Sequence, residues 1–376
     1  MSTAGRSHED APDASDVASR LDTAGFVRLV TAADADSLAA AGVLSRALDA
    51  ADTPFQVSVA RPWASADRAT DADLTVALGP VRTDAEVAFA GVQTSASARA
   101  FEVARDLDAA SADPILALAG AHAAEAPAPG TLAEAAGLER RPGVAVPTSD
   151  LGDGLAHTTL THAPFSGDRE AAAGAIAGID EDADDRGRQA ASILALSVCS
   201  VEAASERAAE TIRRAVHPYA GGPFETIGGY ADVLDATVRE DPGTAVALAL
   251  GHDVDEAALD AWRRHARSAH AALEAATTGR YDGLFVARDD GDVPVETVAR
   301  LFRDVRSPEP VVLALTDGRV AAAATPDAEI DLERVFEDAI EALGSGTAAG
   351  TPRRAVASVD AETADVIEAV REAMQV

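Results

Sequence analysis

Between Phe26 and Leu78 the chain repeats one local theme. FVRLVT, FQVSVA and LTVAL are short runs of β-branched and apolar residues, and the first leads through the loop Ala32 to Ser37 into LAAAGVLSRAL, with Leu38, Ala41, Leu44 and Leu48 at helical spacing. Runs this short and apolar fit strands buried on both faces, and strands alternating with helices imply a mostly parallel sheet under helical layers. Val87 to Ala90 reads as a further strand and Ser95 to Leu107 as a further helix. The 376 residues exceed the usual size of one hydrophobic core, so two domains are expected.

Hydrophobic residues make up 47% of the chain but aromatics only 4%, so the core has to be built from Ala and Val packed closely. Such a composition excludes a disordered chain and a stacked-aromatic RNA platform. Asp and Glu number 63 against 31 Lys+Arg, a net charge of −32, and every basic residue is an arginine. The acid excess is spread along the whole chain, as expected of a surface that stays solvated in concentrated salt. At molar salt the Debye length is only about 3 Å, so net charge neither excludes nor supports a nucleic-acid partner.

The lone Cys199 rules out an intramolecular disulfide and a Cys-rich zinc site. The first 16 residues have no apolar stretch of signal-peptide type, and the longest apolar candidate, Gln189 to Val201, is 13 residues, short of a membrane span. A soluble, cytoplasmic protein is expected.

The stretch from Asp113 to Asp168 is rich in Gly, Pro and His. Helices are expected over Gly187 to Val216 and Asp255 to Ala275, separated by the Gly-rich HPYAGGPFETIGGY. A second α/β unit follows: strands Tyr281 to Ala287, Pro310 to Thr316, Arg319 to Ala324 and Ala355 to Val359, with helices Val295 to Arg303, Leu332 to Leu343 and Ala361 to Met374.

Asp34 and Asp36 fall in the loop at the carboxyl end of the first strand, where open parallel sheets bind ligands. Two carboxylates one residue apart can supply hard oxygen ligands to a divalent cation. They equally suit the N-cap and first turn of the following helix, the reading that spacing alone favours.

VRLVTAADADSLAAAGVLSRAL resembles the first motif of the DHH phosphoesterase superfamily, HxDxDG before a small-residue helix, and in particular archaeal relatives of the RecJ single-strand exonuclease. Asp34 and Asp36 match its aspartates, Ala32 stands at the histidine and Ser37 at the glycine. LTVALGP is similar to the second motif with Gly79 about where its aspartate belongs, and EVAFAGVQTSASARAFEVA is similar to the third without its Asp-His-His. The run Ser345 to Gly350, read as a loop with Arg353 and Arg354 behind it, resembles the glycine-rich GGHxxAAG motif, Thr347 standing at its histidine.

This resemblance implies an α/β fold with an N-terminal parallel-sheet DHH-like domain, a helical connector and a smaller C-terminal α/β domain. The corresponding ranges are a disordered tail over 1–20, the DHH-like domain with an insert over 21–178, the connector over 179–278 and a nucleic-acid-binding-type domain over 279–376. It implies Mn2+ or Mg2+ at Asp34 and Asp36, single-stranded nucleic acid at Gly346, Ala348, Ala349, Gly350, Arg353 and Arg354, and no surviving catalytic residue. In-line attack on a phosphodiester by two metals needs ions about 3.5 to 4 Å apart, and the surviving pair supplies too few ligands unless acids such as Asp71, Asp73 or Asp84 substitute. The expected role is therefore a RecJ-like protein of DNA replication or repair that binds nucleic acid or serves as a scaffold, with active single-strand exonuclease activity as the alternative. Within the family, the eukaryotic relative in the replicative helicase keeps the fold without the nuclease site, and archaeal counterparts associate with GINS and MCM.

His157 and His162, five residues apart, lack an HExxH pattern and read as surface or hydrogen-bonded histidines. Gly221, Gly222, Gly228 and Gly229 read as turn residues or a phosphate nest, with Thr226 a helix cap. Without a lysine, an ordinary P-loop ATPase is excluded. Cys199, in an apolar helix with no neighbouring base, reads as a core residue.

Overall fold

A computed structural model describes residues 13–61, 71–89, 94–126, 130–180, 183–201, 204–205 and 207–375. The first part of the chain forms α1 (Ala14–Thr23), β1 (Val27–Ala32), α2 (Ala35–Ala50), β2 (Phe55–Ala60), β3 (Leu74–Leu78), β4 (Val87–Phe89), α3 (Ala96–Asp108) and α4 (Pro114–Ala123). The four strands make one sheet in the order β2-β1-β3-β4, every pair parallel. All six residues of β1 are buried, as a central strand covered on both faces requires.

Helix α2 explains the shortage of aromatics. Its residues Ala35 to Ser45 are all buried, and its small side chains let α3, α4, α10 and α11 approach it closely. At Gly42 even a methyl group would lie 2.7 Å from both the Ala249 carbonyl oxygen and Leu116 Cδ2, so only glycine fits there.

A helical stretch follows: α5 (Gly130–Ala136), α6 (Leu151–His157), α7 (Arg169–Ile176), α8 (Arg186–Cys199), α9 (Ala208–Ala215), α10 (Ile227–Glu240), α11 (Pro242–Ala249) and α12 (Asp255–Ala275). Tyr230, Val233, Leu234, Leu248 and Trp262, from α10, α11 and α12, join the core built on the first sheet, whereas Leu155, Leu194 and Val198 belong to a separate small core.

The C-terminal unit comprises β5 (Thr277–Tyr281), β6 (Leu284–Arg288), α13 (Val295–Leu301), β7 (Val311–Thr316), β8 (Arg319–Ala324), α14 (Leu332–Leu343), β9 (Thr347–Thr351), β10 (Arg354–Ser358) and α15 (Thr363–Ala373). Its sheet runs β5-β6-β7-β8-β10-β9, with β6 and β7 parallel and the other pairs antiparallel. Helix α13 continues into a π-helical turn, Phe302–Arg306. Such turns add one residue per turn and re-aim the side chains they carry.

Three expectations are corrected. Of the tail expected over 1–20, residues 1–12 lie outside the described residues, but Ala14 to Arg20 are helical: Asp13 caps α1, and Val17 and Leu21 are fully buried. The run Ser345 to Gly350 is not a loop; Thr347 to Gly350 form most of edge strand β9, whose small residues pair with β10. Cys199 is exposed at the end of α8, because the buried residues of that helix are Ala190, Leu194 and Val198. Of the strand expected over Val87 to Ala90, Ala90 lies outside the described residues.

Candidate functional site

The carboxyl ends of β1, β2 and β3 open into a cleft of about 1610 Å³ whose opposite wall is formed by α13, β8 and the β9–β10 hairpin. Open parallel sheets bind ligands at this end, and clefts between domains are common binding sites. Among the described residues nine arginines line the cleft, Arg61, Arg82, Arg239, Arg264, Arg300, Arg303, Arg319, Arg353 and Arg354, against eight carboxylates. The chain as a whole carries 63 acids for 31 basic residues, so arginine is locally concentrated here.

Asp34 is the N-cap of α2: its carboxylate accepts from the Ser37 N–H at 2.9 Å and the Ser37 hydroxyl at 2.8 Å. Asp36 points the other way and is buried. It accepts from Ala96 N at 2.7 Å, Ser97 N at 3.0 Å and Ser97 Oγ at 2.6 Å, and so serves the first turn of α3. Ser95 takes the next free N–H, that of Ala98, at 3.2 Å. Between them Asp36 and Ser95 satisfy the donors that a helix start leaves without partners. Burial pushes the Asp36 carboxyl up to about 6, against the opposing hydrogen bond from Ser97.

The remaining slots of the motif are filled by the protein itself. Gly79 has φ +78°, and a Cβ there would sit 2.0 Å from Ser37 Oγ. The hydroxyl that bonds Asp34 thus occupies the space a side chain at position 79 needs. Beside Asp34, the amide of Ala35 donates to Asp235 at 3.3 Å, and Asp235 pairs with Arg239 at 2.5 Å. Burial alone would raise the Asp235 carboxyl, but Arg239 outweighs it and holds it down at about 2. A guanidinium therefore supplies positive charge next to the first-motif loop.

Asp71, Asp73 and Asp84 are exposed and do not line the cleft, and among the described residues no group of three or more His, Cys, Asp or Glu side chains is arranged to hold a metal ion. The residues at this position do not fit a two-metal site: both carboxylates are engaged by donors of the chain, and the other positions carry Ala32 and Gly79.

Of the C-terminal residues, Gly346, Ala349, Gly350, Arg353 and Arg354 line the cleft, whereas Ala348 is 5% exposed and packs in the core of the C-terminal sheet. Arg353 donates to the Pro326 carbonyl and remains exposed; Arg354 pairs with Glu125 at 2.5 Å. Glu125, Arg239, Arg300 and Arg303 were outside the sequence reading. The arginine spacing in RLFRDVR, Arg300, Arg303 and Arg306, is the one signal that marked any of them.

His157 and His162 are buried and hydrogen-bonded. His157 Nδ1 lies 3.1 Å from Asp153, and His162 bridges His270 at 3.1 Å and Glu274 at 3.0 Å. Gly221 and Gly222 adopt positive φ in a turn, while Gly228 and Gly229 open α10, where Thr226 caps the Gly229 N–H at 3.0 Å. Burial, reinforced by His162, pushes His270 down to about 3, and burial with Arg214 and Arg140 pushes His122 down to about 4. Both histidines fold neutral, so their contribution is complete above the unfolded value of about 6.5 and is lost as pH falls toward the folded values. The slope is about 1.4 kcal/mol per pH unit for each proton that the unfolded chain takes up and the folded one refuses. Asp36, raised, acts in the opposite sense between its unfolded value and about 6. Melting temperature should therefore fall more steeply with acidification in the wild type than in His270→Gln; parallel profiles would remove His270 from the account.

Residues 276–372 match the family described as the C-terminal domain of uncharacterized protein rrnAC1427. Over their full lengths, the chain and uncharacterized protein rrnAC1427 from Haloarcula marismortui are 54% identical. Among solved structures, it is similar to exonuclease RecJ bound to manganese (TM-score 0.52, 15% identity, covering 99% of this chain and 96% of that one). It is also similar to CDC45 from Entamoeba histolytica (TM-score 0.52, 9% identity, covering 96% and 99%). RecJ in complex with Mn2+ from Thermus thermophilus gives a TM-score of 0.51 at 16% identity, covering 96% of this chain and 54% of that one. The fold is RecJ-like.

Proposed function

Since the chain belongs to the family of uncharacterized protein rrnAC1427 and has a RecJ-like fold, we propose that it binds single-stranded nucleic acid in the interdomain cleft without hydrolysing it, as a binding or scaffold protein of DNA replication or repair. One observation supports this reading: the positions that the resemblance gives to metal ligands are engaged by Ser37 and the start of α3, with the Asp235–Arg239 pair beside them, while the cleft that they open into is lined by nine arginines among the described residues.

The chemistry is that of backbone recognition. Guanidinium forks match phosphate oxygens, and the contacts that position a strand need no catalytic metal. Arg264 on α12 and Arg353 in the β9–β10 turn are both exposed and both line the cleft, so a strand bound along it has both within its path. A place beside GINS or MCM, carried by the family resemblance, belongs to the same proposal and is tested by co-purification from cells at native salt.

The direct test is fluorescence anisotropy of labelled single-stranded DNA and RNA across a range of potassium chloride. Arg264→Glu with Arg353→Glu should weaken binding at least about tenfold and flatten the dependence of log K on log salt by about one to two, while leaving the melting temperature in place. Unchanged affinity in the double variant would move the nucleic acid out of the cleft.

A further inference from the structure

Glu125 closes α4 in a position that a side chain rarely takes. Its N–H bonds the His122 carbonyl at 3.2 Å and the Ala126 N–H bonds the Ala121 carbonyl at 3.2 Å, the paired closure of a Schellman turn, and Glu125 itself has φ +57°. Glycine is the usual residue there, because a Cβ is strained in the left-handed region.

From this position the carboxylate reaches three arginines on three different elements: Arg214 of α9 at 2.7 Å, Arg303 of the π turn at 2.9 Å and Arg354 of β10 at 2.5 Å. Asp304 is shared in the same way, with Arg214 at 2.5 Å, Arg303 at 2.6 Å and Arg300 at 3.8 Å. Two carboxylates thus bond four guanidiniums, and Asp235 acts on Arg300 and Arg354 from further off. Arg300 reaches a further acid, Asp232, only through Thr159, whose hydroxyl it meets at 3.1 Å. Arg300 is 9% and Arg303 3% exposed, yet both line the cleft with Arg354 and Glu125. Several guanidinium forks on one oxyanion is the arrangement by which proteins hold phosphate.

We propose that Arg303 and Arg354 on the cleft wall, with Arg214 behind them, form a phosphate subsite, and that the Glu125 carboxylate fills it in the free protein as a built-in competitor that a backbone phosphate displaces. The proposal rests on the nucleic-acid reading above for its physiological ligand, but the subsite has a readout of its own. Inorganic phosphate is the probe, compared with chloride at equal ionic strength.

Glu125→Gln removes the charge, and Glu125→Gly removes it while giving the backbone its preferred residue, so the second carries the test if the first does not fold. In either variant phosphate should raise the melting temperature by several degrees more than in the wild type, as ligand binding to the folded state requires. Both should bind labelled single-stranded DNA about tenfold more tightly, with a salt dependence steeper by about one. Glu125→Asp, which keeps the charge, should show a smaller gain in each measurement. If Glu125 is only a strut between domains, both variants melt lower with no extra response to phosphate and bind DNA no better, and the proposal falls. A phosphate response without DNA binding in any form of the protein would keep the subsite and overturn the nucleic-acid reading instead; DNA binding that the variants leave unchanged would do the reverse.

Discussion

Replacing Asp36 by alanine should lower the unfolding free energy by about 2–3 kcal/mol, equally in EDTA and in manganese. The carboxylate accepts from Ala96 N, Ser97 N and Ser97 Oγ, and among the described residues the two buried amides have no other acceptor once it is gone. Loss of a helix cap costs about 1 kcal/mol, and leaving a buried donor unsatisfied costs about 1–3 kcal/mol more. The opposite sign belongs to a metal-ligand reading: acids held together to await a cation repel one another, so removing one stabilises the metal-free protein, and only the wild type gains stability from manganese. Denaturant unfolding of wild type and Asp36→Ala, each with manganese and with EDTA, separates the two.

The second large effect is expected at Gly79. An alanine there meets Ser37 Oγ at 2.0 Å, Ser37 Cβ at 3.1 Å and Ala32 Cβ at 3.2 Å, in a backbone at φ +78°. Incompatible φ and forced overpacking together should cost about 3 kcal/mol or more. Ser37→Gly keeps the backbone N–H bond that caps α2 but loses the hydroxyl's bond to Asp34, a cost of about 1 kcal/mol. In the double variant the clash with Ser37 is gone, so the two costs should not add; a coupling of about 1 kcal/mol or more is expected from the double-mutant cycle. Additive losses would mean that Ser37 is not what fills the position. The cycle bears on function because position 79 is where the superfamily resemblance puts a metal-binding aspartate, and a serine hydroxyl now occupies that space.

How much of this was legible in the sequence depends on how local the cause is. The parallel sheet follows from β-branched runs with helices between them, and α12 and α14 match their expected spans because their apolar residues keep one face and their ends are signalled, in α14 by capping Asp331 and left-handed Gly344. Asp34 as the cap of α2 was equally local. Strands β5 and β9 were missed because TTGRY and TAAGT are polar or small edge segments whose strand character comes from their pairing partners. Cys199 was misplaced because the turn of α8 on its core sets which apolar residues face inward. Asp36 serves α3 across 60 residues of chain, and Glu125 meets Arg354 across 229, contacts that no spacing pattern records.

The most direct test of the account incubates the wild-type protein with end-labelled single-stranded DNA and RNA at molar potassium chloride, in manganese and in EDTA, and reads bound fraction and strand length from the same samples. Full-length strands, bound to the same extent with and without the metal, are the expected result. Manganese-dependent shortening of either strand would contradict it, and would mean that Asp34 and Asp36 leave their helix starts to hold ions.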